Sequence, residues 1–96
     1  MSPDKRKKLV ILRKKLDLLD NKLLKLIKIR TNIVKNVLKL KTYKHEIVDK
    51  KRISIILKNI KRKSIRNNID PKITNRIWKN MILSYIDFEK RNFKKK

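Results

Sequence analysis

The chain has 96 residues and a formal net charge of +23, from 31 Lys and Arg against 8 Asp and Glu. With no Cys, no Gly and two Pro, it excludes a disulfide framework, a thiolate metal site and a glycine-rich nucleotide loop, and it favours one all-α domain over residues 1–96. The charge suggests nucleic acid or an anionic membrane surface as a partner. However, an AT-rich coding sequence would also produce an excess of Lys over Arg and an absence of Ala and Gln, whatever the fold.

The first predicted element is a helix that runs from the start signal at Ser2, Pro3 and Asp4 to about Thr42. A helix of about 38 residues is ~57 Å long at 1.5 Å per residue, which is too long for one globule of this size. We therefore expect later helices, a second copy of the chain, or both to cover it. Apolar residues at spacings of three and four predict its buried face, here called the first-helix seam: Leu12, Leu16, Leu19, Leu23, Leu26, Ile33, Val37 and Leu40.

Arg30 stands on this seam, in the position between Leu26 and Ile33. A buried guanidinium needs an anion, because an unpaired buried charge costs several kcal/mol. Lys41 follows eleven residues later, which returns it to the same face of the helix ~16 Å further along the axis. The two side chains could hold a small anion between them.

Arg13 lies about 100° round the helix from Arg30 and ~25 Å away, so it cannot serve the same small ligand within one chain. In an antiparallel dimer of the long helices, Arg13 of one chain could enter the site around Arg30 of the other. Arg13 also has a local partner in Asp17, four residues on. The sequence leaves both interpretations open.

A loop at residues 42–48 loses the helical period and leaves His45 as a solvated loop residue. Asp49 is the predicted N-cap of a second helix that ends near Ser64, and it has Arg52 as an i,i+3 partner. The apolar face of this helix is Ile53, Ile56, Leu57 and Ile60.

Asp70 followed by Pro71 is the start signal for a third helix that reaches about Phe93. Its predicted buried stripe is Ile73, Ile77, Trp78, Met81, Ile82 and Tyr85. Glu89 is in line with this stripe, four positions beyond its last residue. Its carboxylate could pair with Arg13 or a lysine, or burial could keep it protonated and able to donate a hydrogen bond.

The remaining inventory excludes most kinds of catalytic site. One His and scattered acids leave no metal constellation, and no set of nucleophile, base and orienting residue is visible. We expect no cofactor and no metal, so any chemistry must rest on cations, placement and hydrogen bonds. The longest early apolar run, residues 9–12, is too short for a signal peptide or a membrane span, and a soluble, cytoplasmic protein is expected.

Taken in order, these residues resemble the AroQ family of all-α chorismate mutases over nearly the whole chain. The matching pieces are the stretch 12–24, then Arg30 and Lys41, then Val48-Asp49-Lys50-Lys51-Arg52 as the family's Asp-x-x-Arg, and Ile69-Asp70-Pro71 at the start of the third helix. The resemblance implies an intertwined homodimer of three-helix subunits with a long first helix and two shared active sites. It also implies the rearrangement of chorismate to prephenate in Phe and Tyr biosynthesis.

The resemblance further implies a role for each matching residue. Lys41 and a protonated Glu89 would donate hydrogen bonds to the ether oxygen of the substrate, and Arg30 would bind a substrate carboxylate. The other substrate-binding residues would be Arg13 of the partner subunit, Asp49, Arg52, Ile53 and Tyr85. Because the reaction is one pericyclic step, the protein needs only to select a compact conformer and to stabilise the charge that develops on the ether oxygen.

Ile53 departs from the family pattern, in which an acidic residue at this position contacts the ring hydroxyl. The related isochorismate pyruvate-lyases share the fold and carry an aliphatic residue there, but they have Gln at the position of Glu89, as most mutases do. We favour the mutase and keep the lyase as the alternative. A basic nucleic-acid-binding module is the rival of a different class. It leaves Arg30 and Glu89 on apolar faces unexplained and lacks an aromatic base-stacking platform, so nucleic acid is not expected as a partner.

Overall fold

The computed structural model describes residues 1–94, and every regular element in that range is helical. The elements are α1 (Pro3–Leu40), a short 3₁₀ turn (Lys44–Ile47), α2 (Lys50–Arg66) and α3 (Pro71–Asn92). The predicted all-α fold with a long first helix is therefore confirmed. Within the described range, no helix combines the length and apolar character needed to cross a membrane.

The chain divides into two compact units, and α1 contributes residues to both. The first unit is Met1–Ile33, and the second begins at Val34 and contains the end of α1, the 3₁₀ turn, α2 and α3. The apolar core lies in the second unit, where Leu38, Ile47 and Ile82 are buried. Three polar residues are buried in the same unit: Ser64, Thr74 and Glu89.

Helix α1 begins at the predicted signal and continues for 38 residues. The Ser2 hydroxyl accepts a hydrogen bond from the Lys5 backbone N–H at 3.3 Å, which satisfies one of the unpaired donors of the first turn. After Pro3 no Gly or Pro interrupts the helix. It ends at Leu40, slightly before the predicted Thr42, and the Lys41 N–H donates to the Leu38 carbonyl at 3.1 Å.

The first-helix seam, which was expected to be covered by later helices, a second copy of the chain or both, is exposed in the single chain. Its members range from 44% exposed at Val37 to 82% at Leu40. Leu38, which is not a seam residue, is the buried residue of α1. A long helix with an exposed apolar face lacks the tertiary packing that normally stabilises helices. Contacts within the single chain therefore do not explain why α1 has an apolar face.

Helix α2 packs against α3, and both begin at the predicted caps. Asp49 accepts a hydrogen bond from the Arg52 N–H at 2.9 Å, and Asp70 accepts one from the Lys72 N–H at 2.9 Å. Helix α2 ends at Arg66, and Asn68 then adopts a left-handed conformation with φ of 57°. The Asn68 N–H donates to the Ile65 carbonyl and the Ile69 N–H to the Ser64 carbonyl, the pattern of a Schellman cap.

The contact between α2 and α3 includes a pair of hydroxyl groups. Ser64 Oγ lies 2.7 Å from Thr74 Oγ1 and also donates to the Ile60 carbonyl at 2.6 Å. The Thr74 hydroxyl also lies 3.4 Å from the Pro71 carbonyl, to which it can donate, so either hydroxyl can be the donor within the pair. The predicted stripe of α3 is only partly correct: Ile82 is buried, but Ile73 and Ile77 are half exposed. The start of α3 buries Thr74 instead, which stands four residues before Trp78 and eight before Ile82 and so shares a helix face with them.

Candidate active site

A largely buried ion pair joins the residue that follows α1 to the last turn of α3. Lys41 Nζ lies 2.8 Å from Glu89 Oε1, and the two side chains are 18% and 8% exposed. Lys41 follows the last residue of α1, where its positive charge is favoured by the helix dipole. The sequence left Arg13 and a lysine open as partners of Glu89. The structure pairs Glu89 with Lys41, which is itself a candidate site residue.

The start of α2 brings further candidate residues into the same unit. The Asp49 carboxylate is occupied as the N-cap, since Oδ1 accepts the Arg52 backbone N–H. The Arg52 side chain is exposed and forms no ion pair with Asp49, so of the two interactions expected between these residues only the cap is present. Ile53 is partly buried on the same helix.

A cavity of about 600 Å³ opens beside Lys41. It is lined by Lys41, Glu46, Val48, Asp49, Lys50 and Lys51. Both acidic residues accept backbone hydrogen bonds, Glu46 from the Tyr43 N–H at 3.0 Å and Asp49 from Arg52. With Lys41 bound to Glu89, the lysines at positions 50 and 51 add exposed positive charge to the lining. The lining therefore combines two exposed ammonium groups with two carboxylates that already accept backbone hydrogen bonds.

No sequence pattern marks Lys50, Lys51 or Glu46 as a candidate site residue. Their position was readable only in part, because the two lysines directly follow the predicted N-cap Asp49 and must lie in the first turn of α2. Which cavity they border depends on the 3₁₀ turn, and no sequence pattern predicts that turn. His45 is exposed and stacks on Tyr43 with ring centroids 5.4 Å apart.

The other candidate residues are placed as follows. Tyr85 is partly buried on α3, one helical turn before Glu89. Arg13 and Arg30 belong to the first unit, where Arg13 is exposed and Arg30 is partly buried. Within the described residues, no group of three or more His, Cys, Asp or Glu could hold a metal ion.

A comparison with protein families finds one described as chorismate mutase type II, which matches residues 12–90. The matched range extends from the first third of α1 to the last turn of α3, and every candidate site residue lies within it. No curated protein and no solved structure matches the chain.

Proposed function

Because the chain belongs to the chorismate mutase type II family, we propose that it catalyses the rearrangement of chorismate to prephenate, a step of aromatic amino-acid biosynthesis. The observation that carries this proposal is the buried pair of Lys41 and Glu89. A buried ion pair adds little net stability, because the desolvation of both groups offsets their attraction. A catalytic role gives a reason for keeping it in so small a core.

The reaction breaks one C–O bond while one C–C bond forms, and negative charge develops on the ether oxygen. Lys41 uses one of its three N–H donors on Glu89, which leaves donors that can stabilise this oxygen. Glu89 acts either as a carboxylate that holds Lys41 in place or, when protonated, as a second donor. Glu89→Gln separates the two roles: a donor role predicts retained turnover, because the amide N–H still donates, and an anchoring role predicts lost turnover.

The two substrate carboxylates require further cations. We assign them to Arg30 and to Arg13 of the partner subunit, since a guanidinium can bind a carboxylate through two parallel hydrogen bonds. Arg52, Ile53, Asp49 and Tyr85 would surround the ring. Lys50 and Lys51 lie beside Lys41, and their positive charges support an anionic substrate at this end of the second unit.

We further propose that the active protein is a homodimer with shared sites. The support is the first-helix seam, whose eight apolar residues are all at least 44% exposed in the single chain. Fully burying a Leu or Ile side chain contributes about 1.5–3 kcal/mol. A second copy that covers the seam would therefore stabilise α1 and would bring a second Arg13 to the assembly.

The activity is tested by incubating the purified protein with chorismate and, separately, with isochorismate, and measuring prephenate and pyruvate. We expect prephenate from chorismate. Arg30→Ala should lower kcat/KM by about 100-fold or more, as the loss of one oriented donor to a reacting anion does. Arg76→Ala, on an exposed position of α3, is the matched control and should leave turnover unchanged. Full turnover in Arg30→Ala, with unchanged helix content, would refute the assignment.

The second candidate is isochorismate pyruvate-lyase activity on the same fold. The observation in its favour is Ile53, a partly buried aliphatic residue where the mutase pattern has an acid. Release of pyruvate from isochorismate, without prephenate from chorismate, would establish this alternative.

A further inference from the structure

Helix α2 carries a dense positive charge with no acidic residue. Its basic residues are Lys50, Lys51, Arg52, Lys58, Lys61, Arg62, Lys63 and Arg66, and all of them are exposed. At 100° per residue they occupy an arc of about 220° of the helix surface. The opposite arc contains the residues that face α3: Ile53, Ile56, Leu57, Ile60 and Ser64. We call the exposed arc the α2 cationic face.

Helix α1 shows what an even distribution of charge looks like in the same chain. Its Lys and Arg residues point in all directions round the helix, and Asp17 and Asp20 lie among them. A lysine-rich composition explains that pattern without any partner. On α2, by contrast, the cations form one continuous face with no acidic residue among them.

The α2 cationic face continues onto α3 across a depression of about 360 Å³. The depression is lined by Leu57, Lys58, Lys61, Pro71, Lys72 and Asn75. Three ammonium groups and one amide thus surround a concave surface that contains no acidic residue. A tetrahedral oxyanion such as a phosphate has the charge and the acceptors that this lining can bind.

We propose that the α2 cationic face, with the depression at its edge, binds the phosphate backbone of nucleic acid without regard to sequence. Helix α2 spans ~24 Å between its first and last basic residues, the length of about seven nucleotide steps at 3.4 Å per step of one strand. The face has no exposed aromatic residue, so contacts are limited to phosphates and carry no base readout. This interaction does not depend on the proposed catalysis, although Lys50, Lys51 and Arg52 belong both to this face and to the proposed substrate site. It departs from the expectation, drawn from the sequence, that nucleic acid is not a partner.

Two other occupants fit this face less well. A second copy of the chain would bring its own positive charge against a face that has no acidic residue to receive it. An anionic membrane would need apolar side chains to insert, but the apolar arc of α2 packs on α3, and the cationic face offers only Ile55 and Ile65, ~15 Å apart at the helical rise.

The test compares two variants that lose the same number of charges. The first carries Lys58→Gln, Lys61→Gln, Arg62→Gln and Arg66→Gln on the α2 cationic face. The control carries Lys7→Gln, Lys14→Gln, Lys25→Gln and Lys28→Gln, exposed residues on the side of α1 opposite the seam. Binding of a fluorescent 20-base-pair DNA duplex is measured by anisotropy at several salt concentrations, with circular dichroism as a check on folding.

We expect the parent to bind with a steep salt dependence, because each neutralised phosphate contributes about 0.9 to the slope of log K against log salt. The α2 variant should bind at least tenfold more weakly with a slope smaller by about 2–4, and the α1 control should lose less than threefold. Equal losses in both variants would show that only net charge matters and would overturn the proposal. It would also be overturned by binding to vesicles of anionic phospholipid but not to the duplex. Chorismate turnover, measured on the same samples, should survive in both variants.

Discussion

At the scale of single residues, the sequence predicted one partner of the Lys41–Glu89 contact but not the contact itself. The apolar stripe of α3 placed Glu89 on a face that is buried at that end of the helix, and the position proved correct. Its partner lies 48 residues away in the sequence. Helical arithmetic relates residues within one helix and says nothing about which turn of another helix packs beside it. Lys41 and Glu89 were therefore separate candidates until the structure brought them together.

The pair allows stability and catalysis to be separated by substitution. Glu89→Leu leaves the mostly buried Lys41 ammonium without its partner, and we expect a loss of about 3–5 kcal/mol in the free energy of unfolding. Adding Lys41→Met should recover most of that loss, because two apolar side chains replace the pair. Turnover should stay below a hundredth of the parent value in both variants. Urea denaturation and a prephenate assay give the two readouts.

Recovery of turnover together with stability would show that the pair serves folding alone. A double variant as unstable as Glu89→Leu would contradict the view that the cost lies in the unpaired ammonium.

At the scale of elements, the caps and the helix ends were the most predictable features. Asp49 and Asp70 accept the hydrogen bonds expected of N-caps, because a cap depends on residues within one turn of it. The line of contact between α2 and α3 was not predictable. Apolar periodicity favoured Ile73 and Ile77, whereas the helices meet at the Ser64–Thr74 hydroxyl pair. Small polar residues that pack closely leave no mark in a hydrophobic pattern.

This contact predicts an asymmetric response to substitution. Thr74→Val keeps the shape of the side chain and removes one donor, so we expect a loss of about 0.5–1.5 kcal/mol. Ser64→Val adds bulk where the hydroxyls are 2.7 Å apart and leaves Thr74 with the Pro71 carbonyl, 3.4 Å away, as its acceptor, so we expect a loss of about 2–4 kcal/mol. Urea denaturation of the two variants, with each Ala variant as a control for size, measures both. The opposite order would show that the two helices do not depend on close approach at this point.

At the scale of the whole molecule, the distribution of burial separates the two units. The second unit has a core of its own, while the first exposes nearly all of its apolar side chains. The sequence predicted that other helices or a second chain would have to bury the apolar face of α1, because a helix of that length is too long for one globule of this size. Which surface supplies the cover depends on contacts between chains, and these leave no periodic signal in a single sequence.

The proposed dimer predicts which leucines matter. Leu19→Asn with Leu23→Asn, on the seam, should abolish the dimer and lower the helix content. Leu18→Asn with Leu24→Asn, on the other sides of α1, should do neither. All four leucines are about half exposed or more in the single chain, so the comparison isolates the seam. Sedimentation at several protein concentrations gives the mass, and circular dichroism gives the helix content. Equal effects of the two pairs would contradict assembly through the seam.

The turn between α2 and α3 limits how this chain can evolve. Among the described residues, Asn68 is the one in the left-handed region, at φ of 57°, and the chain has no Gly to offer for such a position. An ordinary residue there costs about 1–2 kcal/mol, whereas Asn tolerates the conformation. Mutational pressure can exchange most surface residues for lysine at little cost. At this position backbone stereochemistry opposes that exchange, and purifying selection should retain asparagine or admit glycine.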